Sequence, residues 1–101
     1  MVREPVERLK EKVLKENLWL FLFKVLENKD EYAYNLRKKI KERFGFLAGK
    51  VTSYKVLYLL EKDGYVESYV KERRKYYRLT EKGLEQIRKA KEFLINLGSS
   101  L

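Results

Sequence analysis

The chain has 101 residues, enough for one domain with a modest core, and 45% of them are apolar. Its 24 basic and 15 acidic residues give a formal charge of +9, which favours a polyanionic partner, nucleic acid or an acidic membrane surface, over a protein that is merely basic and soluble. With no cysteine and no histidine, disulfides, thiolate catalysis, the usual zinc sites and the commonest general base are excluded.

The first segment, Met1 to Glu16, is charged throughout and does not read as a signal peptide. Pro5 suits the first turn of a helix. Val6, Leu9, Val13 and Leu14 then recur at helical spacing between charged residues. The pattern tightens into the run Leu18 to Phe23, followed by Val25 and Leu26, apolar nearly all round and therefore buried on most sides. That run is far too short to span a bilayer, so a cytoplasmic protein without a membrane partner is expected. One helix is predicted up to Asn28-Lys29-Asp30.

Asp30 is expected to cap a second helix, with Tyr34, Leu36, Ile40 and Phe44 inward and Arg37, Lys38, Lys39, Lys41 and Arg43 outward. Gly45 should end it as a left-handed residue. After a loop from Phe46 to Lys50, Thr52 or Ser53 can cap a third helix carrying Val56, Leu57, Leu59 and Leu60, with Gly64 as its stop. Tyr65 to Val70 and Tyr76 to Leu79 read as strands, the second with Tyr77 and Leu79 on one face and Tyr76 and Arg78 on the other. The link between them, Lys71 to Lys75, is nearly all charge. Thr80 is a good N-cap, with Glu81 in the first turn of a last helix. Leu84, Ile87, Ala90, Leu94 and Leu97 stripe that helix, with Phe93 and Ile95 beside them, before a fraying Gly98-Ser99-Ser100 tail.

The order helix, helix, helix, strand, strand, helix predicts an α+β, mostly α chain: a winged helix-turn-helix of three helices and a two-stranded wing. Within a single domain, residues 1–28 form a long N-terminal helix, 29–80 the winged core, and 81–101 a C-terminal dimerisation helix. A winged core of this size hardly needs both end helices, so their surplus apolar surface is expected to bury in a second copy. The expected interface is Val6, Leu9, Val13, Trp19, Leu84, Ile87, Leu94 and Leu97. Two-fold pairing also suits palindromic half-sites on double-stranded DNA.

Three motifs resemble the PadR family of transcriptional regulators. Tyr32-Ala33-Tyr34-Asn35-Leu36 stands where the family shows His-Gly-Tyr-Glu-Leu. Tyr54 to Leu57, with Leu60, Glu61, Gly64 and Tyr65-Val66, is similar to its Leu-Tyr-Pro-x-Leu-x-x-Leu-Glu-x-x-Gly run. Arg74-Lys75-Tyr76-Tyr77-Arg78-Leu79-Thr80-Glu81-Lys82-Gly83 follows its Arg-x-Tyr-Tyr-x-Leu-Thr-x-x-Gly. Ser53 and Lys55 depart from a common leucine and proline, and Lys71-Glu72-Arg73-Arg74 replaces a Gly-Arg-Pro tip. The chain looks like the short form of the family, with one helix beyond the wing. The resemblance implies a winged-helix regulator, and some family members bind aromatic small molecules near the dimer interface. Trp19, Phe23 and Phe93 are the candidate lining for such an effector.

The third helix is then the recognition helix. Lys50, Thr52, Ser53 and Lys55 at its start are expected at DNA, where helix-terminal amides, hydroxyls and ammonium groups meet phosphates and bases. Tyr54 either joins them or packs in the core. Arg73, Arg74 and Lys75 at the wing tip are expected at phosphate or in a minor groove. Arg78 either shares that surface or pairs with Glu67. Lys38, on the second helix, is a further backbone contact. The expected function is a sequence-specific DNA-binding transcription regulator, a homodimeric repressor. The alternative is a winged-helix module for protein, RNA or non-specific nucleic-acid binding. No phosphate-binding glycine loop or catalytic cluster supports an enzyme, and neither cofactor nor metal is expected. The Lys- and Glu-rich composition also suits a thermophile.

Overall fold

In a computed structural model of the chain, residues 4–101 are described; the first three residues of the expected N-terminal segment lie outside them. Pro5 opens α1 (Pro5–Glu16), and α2 (Leu18–Asn28) follows after a single residue. The expected single helix is therefore two. Asn17 leaves helical geometry at φ −129° and ψ 43°, and its side-chain amide donates to the Val13 carbonyl at 3.2 Å. Asparagine competes for backbone partners in this way, so a hydrophobic pattern that runs through it does not keep the helix continuous.

Of the apolar run expected in α2, Leu18, Phe21, Leu22, Phe23, Val25 and Leu26 are buried, and Trp19 and Leu20 are partly buried. α2 forms the centre of the core, packed by α3 (Ala33–Phe44), α4 (Lys50–Lys62), α5 (Glu81–Ser100) and strand β3 (Arg74–Leu79). Phe21 meets Phe44 and Phe46 edge-on at 4.9 and 5.2 Å between ring centres.

The turn after α2 departs from expectation. Asp30 does not cap α3; its carboxylate accepts a 2.7 Å hydrogen bond from the Tyr69 hydroxyl. Glu31–Tyr32 instead form a short strand, β1, and Tyr32 occupies the N-cap position without a side-chain cap bond. Helix α3 buries Ala33, Leu36 and Ile40, which leaves Tyr34 exposed rather than inward. Gly45 ends α3 at φ 77°, its N–H returning to the Lys41 carbonyl at 3.0 Å.

Strands β2 (Val66–Lys71) and β3 pair antiparallel from Val66↔Leu79 to Lys71↔Arg74. β1 adds to the other edge of β3 through Glu31↔Tyr77 and Tyr32↔Tyr76, so the expected two-stranded wing is a three-stranded sheet in the order β1-β3-β2. The charged link is mostly strand. Only Glu72 and Arg73 turn, at φ 51° and 66°, the two left-handed residues of a tight hairpin.

Thr80 caps α5 as expected, accepting from the Gly83 N–H at 3.2 Å while its hydroxyl contacts the Gly64 carbonyl at 2.7 Å. Ile87, expected at a dimer interface, is 3% exposed within its own chain and belongs to the core. Beyond Ala90, α5 projects with every residue exposed. Among the described residues, no helix is long and apolar enough to cross a membrane.

Candidate nucleic-acid interface

The start of α4 is built by its preceding loop. Ala48 is buried, and the Arg37 guanidinium donates to its carbonyl at 3.0 Å. Gly49 then takes the N-cap position with φ −61° and ψ 142°, and neither Thr52 nor Ser53 serves as a cap. Ser53 is fully buried, and its hydroxyl donates to the Gly49 carbonyl at 2.7 Å. Expected at DNA, it is instead an inward packing residue, one helical turn before the buried Leu57.

That inward pair sets the opposite face. Lys50, Thr52, Tyr54 and Lys55 are exposed, and so are Val51 and Tyr58, which the sequence reading passed over. The signal for both lies in the helix start. Once α4 begins at Lys50 rather than after Thr52, Val51 joins the first turn, and Tyr58 lies seven residues on, along the same outward stripe. The first-turn amides have no partner four residues back, which suits an anion.

The wing divides its cations. Arg73 stands exposed at the tip, with no side-chain partner among the described residues. Arg74 lies over the Tyr32 ring, 4.6 Å from its centre, and donates to its hydroxyl at 3.2 Å. Lys75 projects from the face that packs on α4, where it pairs with Glu61 at 3.3 Å. Arg78 resolves to the ladder alternative: it pairs with Glu67 at 2.7 Å and lies over the Tyr69 ring. Glu67 raises the Arg78 guanidinium further.

Glu61 links the recognition helix to the wing. One carboxylate oxygen accepts from the Ser68 hydroxyl and the other faces Lys75. The Ser68 hydrogen bond is the largest influence and holds the Glu61 carboxyl below its usual range, with Lys75 adding to it against a smaller desolvation effect. Burial pulls the Lys75 ammonium down most, yet Tyr77 and Glu61 together leave it raised. Burial pushes the Tyr77 hydroxyl up. The hydrogen bond to Asp30 pushes the Tyr69 hydroxyl up and ties the α2–α3 turn to the sheet.

On α3, Arg37 is committed to the loop, and Lys39 pairs with the buried Glu31 at 2.9 Å. Lys38 remains exposed, as expected, with Lys41 beside it.

The three aromatic effector candidates do not share one pocket. Trp19 meets Phe23 edge-on at 5.4 Å and, with Leu60, Tyr65 and Gln86, lines a cavity of about 210 Å³. Phe93 lines a separate groove of about 470 Å³, with Val13, Trp19, Leu20, Leu94 and Leu97. Of the expected interface residues, Val6, Leu9, Leu94 and Leu97 are exposed, and Val13, Trp19 and Leu84 are partly buried.

This geometry recurs in solved structures. A transcriptional regulator from Clostridium thermocellum is 28% identical, with a TM-score of 0.74 over 84% of this chain and 90% of that one. A PadR family transcription regulator from Clostridium difficile is 29% identical, with a TM-score of 0.76 over 82% and 92%. A PadR-like transcriptional regulator from Bacillus cereus is 26% identical, with a TM-score of 0.78 over 88% and 91%. A winged-helix protein, F93 from STIV, at 23% identity and a TM-score of 0.70, shares the fold. Comparison with the curated proteins found no match. The model of the transcriptional regulator PadR-like family matches residues 22–89, from the middle of α2 through the recognition helix and wing into α5, and the chain belongs to that family.

Proposed function

We propose that this regulator binds double-stranded DNA as a homodimer and acts in the cytoplasm as a repressor at a palindromic operator. The observation that carries this reading is the outward face of α4. Lys50, Thr52, Tyr54 and Lys55 stand exposed at the start of the helix, beside a wing whose tip presents Arg73. Helix-terminal amides and these cations meet phosphate and fix register; the exposed side chains of the first turn reach base edges. Arg74, held on Tyr32, adds a second cation beside the tip, and Lys38 a flanking backbone contact. Lys75 and Arg78 are already paired, with Glu61 and Glu67, and contribute field more than contact.

Dimerisation is supported by apolar surface on α1 and α5 that the protomer leaves uncovered: Val6, Leu9, Phe93, Leu94, Ile95 and Leu97 are all exposed. A second chain covering this surface would set two recognition helices at a fixed spacing. The groove at Trp19 and Phe93 is then the place where an aromatic effector would alter dimer geometry.

Selection of bound duplexes from a random pool, at two salt concentrations, tests the proposal. An enriched palindrome whose affinity falls steeply with salt is the expected result. Binding without enrichment, or preference for single strands, would instead support a non-specific nucleic-acid module.

A further inference from the structure

The chemistry of α4 restricts which bases it can read. Its sequence, Lys50 to Lys62, contains no arginine, asparagine or glutamine. Adenine is read by bidentate asparagine or glutamine, and cytosine by a carboxylate. The one carboxylate of the helix, Glu61, is engaged by Ser68 and Lys75 at the far end. Beside the hydroxyls of Thr52, Tyr54 and Tyr58, which donate or accept and so separate bases weakly, what remains is apolar contact with the thymine methyl group, and lysine to guanine. The two lysines near the start, Lys50 and Lys55, carry flexible, strongly hydrated point charges suited to phosphate.

Val51 sits between them in the first turn and is 81% exposed, on the face opposite Ser53 and Leu57. Its branched side chain is short and rigid, so it can touch only a group that lies close to the helix backbone. Thr52, also exposed, presents a second methyl beside it. Resting on the DNA-binding reading above, we infer that Val51 and the Thr52 methyl contact thymine 5-methyl groups in the major groove. The chain therefore selects duplexes by the placement of thymines, not by hydrogen bonding to guanine.

The test uses the full chain and a duplex recovered by selection. Each thymine is replaced in turn by deoxyuridine, which removes only the methyl group. Affinity should fall about fourfold at one or two positions per half-site, the effect of one buried carbon. Val51→Ala should bind the thymine and uracil forms equally at one of these positions. Val51 is exposed, so this variant keeps the fold. Binding that is indifferent to every uracil, with loss instead on replacing guanine by 7-deazaguanine, would overturn the inference in favour of the lysines. A full uracil penalty at every sensitive position in both Val51→Ala and Thr52→Ser would overturn the assignment to these residues. If no duplex is bound at all, the DNA-binding reading itself fails, and this inference with it.

Discussion

Gly83 shows how much one residue can carry. It lies in the first turn of α5 and is buried. A Cβ there would run into the Tyr65 carbonyl and the Leu79 side chain. The same carbonyl accepts from the Thr80 N–H at 3.1 Å, and Thr80 caps the helix through the Gly83 N–H. The Leu79-Thr80-x-x-Gly83 spacing is thus a packing device: the cap sets the helix start, and the glycine lets the helix approach the β2 entrance. Gly83→Ala should destabilise the fold by about 1–3 kcal/mol through overpacking, seen as a lower midpoint in urea unfolding. A midpoint equal to that of the unsubstituted chain would show that Leu79 and Tyr65 can move aside. Ser53 is the opposite case. A hydroxyl in the first turns of a recognition helix suits a base contact on paper, yet its position in line with Leu57 takes it into the core.

At the scale of elements, the hairpin concentrates strain at its tip. Glu72 and Arg73 both occupy left-handed backbone conformations without being glycine. Such a residue costs about 1–2 kcal/mol, which a glycine avoids. Arg73→Gly should therefore raise thermal stability, or at least leave it unchanged. It should also weaken DNA binding for all sequences and reduce the salt slope by about one, as expected for a lost phosphate contact. Thermal melts and salt titrations on the same variant separate the two effects; an unchanged slope would remove Arg73 from the interface. The strands behind the turn are held differently. Tyr69 reaches Asp30, Arg74 lies on Tyr32, and Tyr69 stacks on Tyr76 at 5.7 Å, so β1 and the α2–α3 turn brace the sheet. The strained turn on a braced sheet fixes where the Arg73 backbone stands, while its long side chain stays free to reach.

For the whole molecule, the uncovered surface on α1 and the outer half of α5 decides what the protomer lacks. α1 buries no residue of its own, and α5 projects past Ala90 without cover. In the proposed dimer, Leu94→Glu places a charge where apolar surface should meet its copy. Sedimentation should shift from dimer to monomer, while circular dichroism of the dilute protein keeps its helical signal, because Leu94 is already 43% exposed in the protomer. A variant that still sediments as a dimer would place the interface elsewhere. With a net charge of +9, two such chains approaching DNA together should show steep salt dependence.

The sequence by itself determined the elements with strong local signals. Continuous apolar residues buried α2, Gly45 and Thr80 marked a helix end and a helix start, and alternation put Tyr77 and Arg78 on opposite faces of β3. These follow from periodicity and backbone preference, which act within a few residues. Tertiary structure alone decided the rest. β1 is two residues long and exists because β3 offers an edge to pair with; a segment that short has no period to read. Asp30 became a partner of Tyr69, 39 residues away, rather than a cap. Ile87 went to the protomer core, and Phe23 and Phe93 parted into separate cavities. Each outcome turns on which element packs beside a residue, and a side chain's chemistry does not encode its distant neighbours.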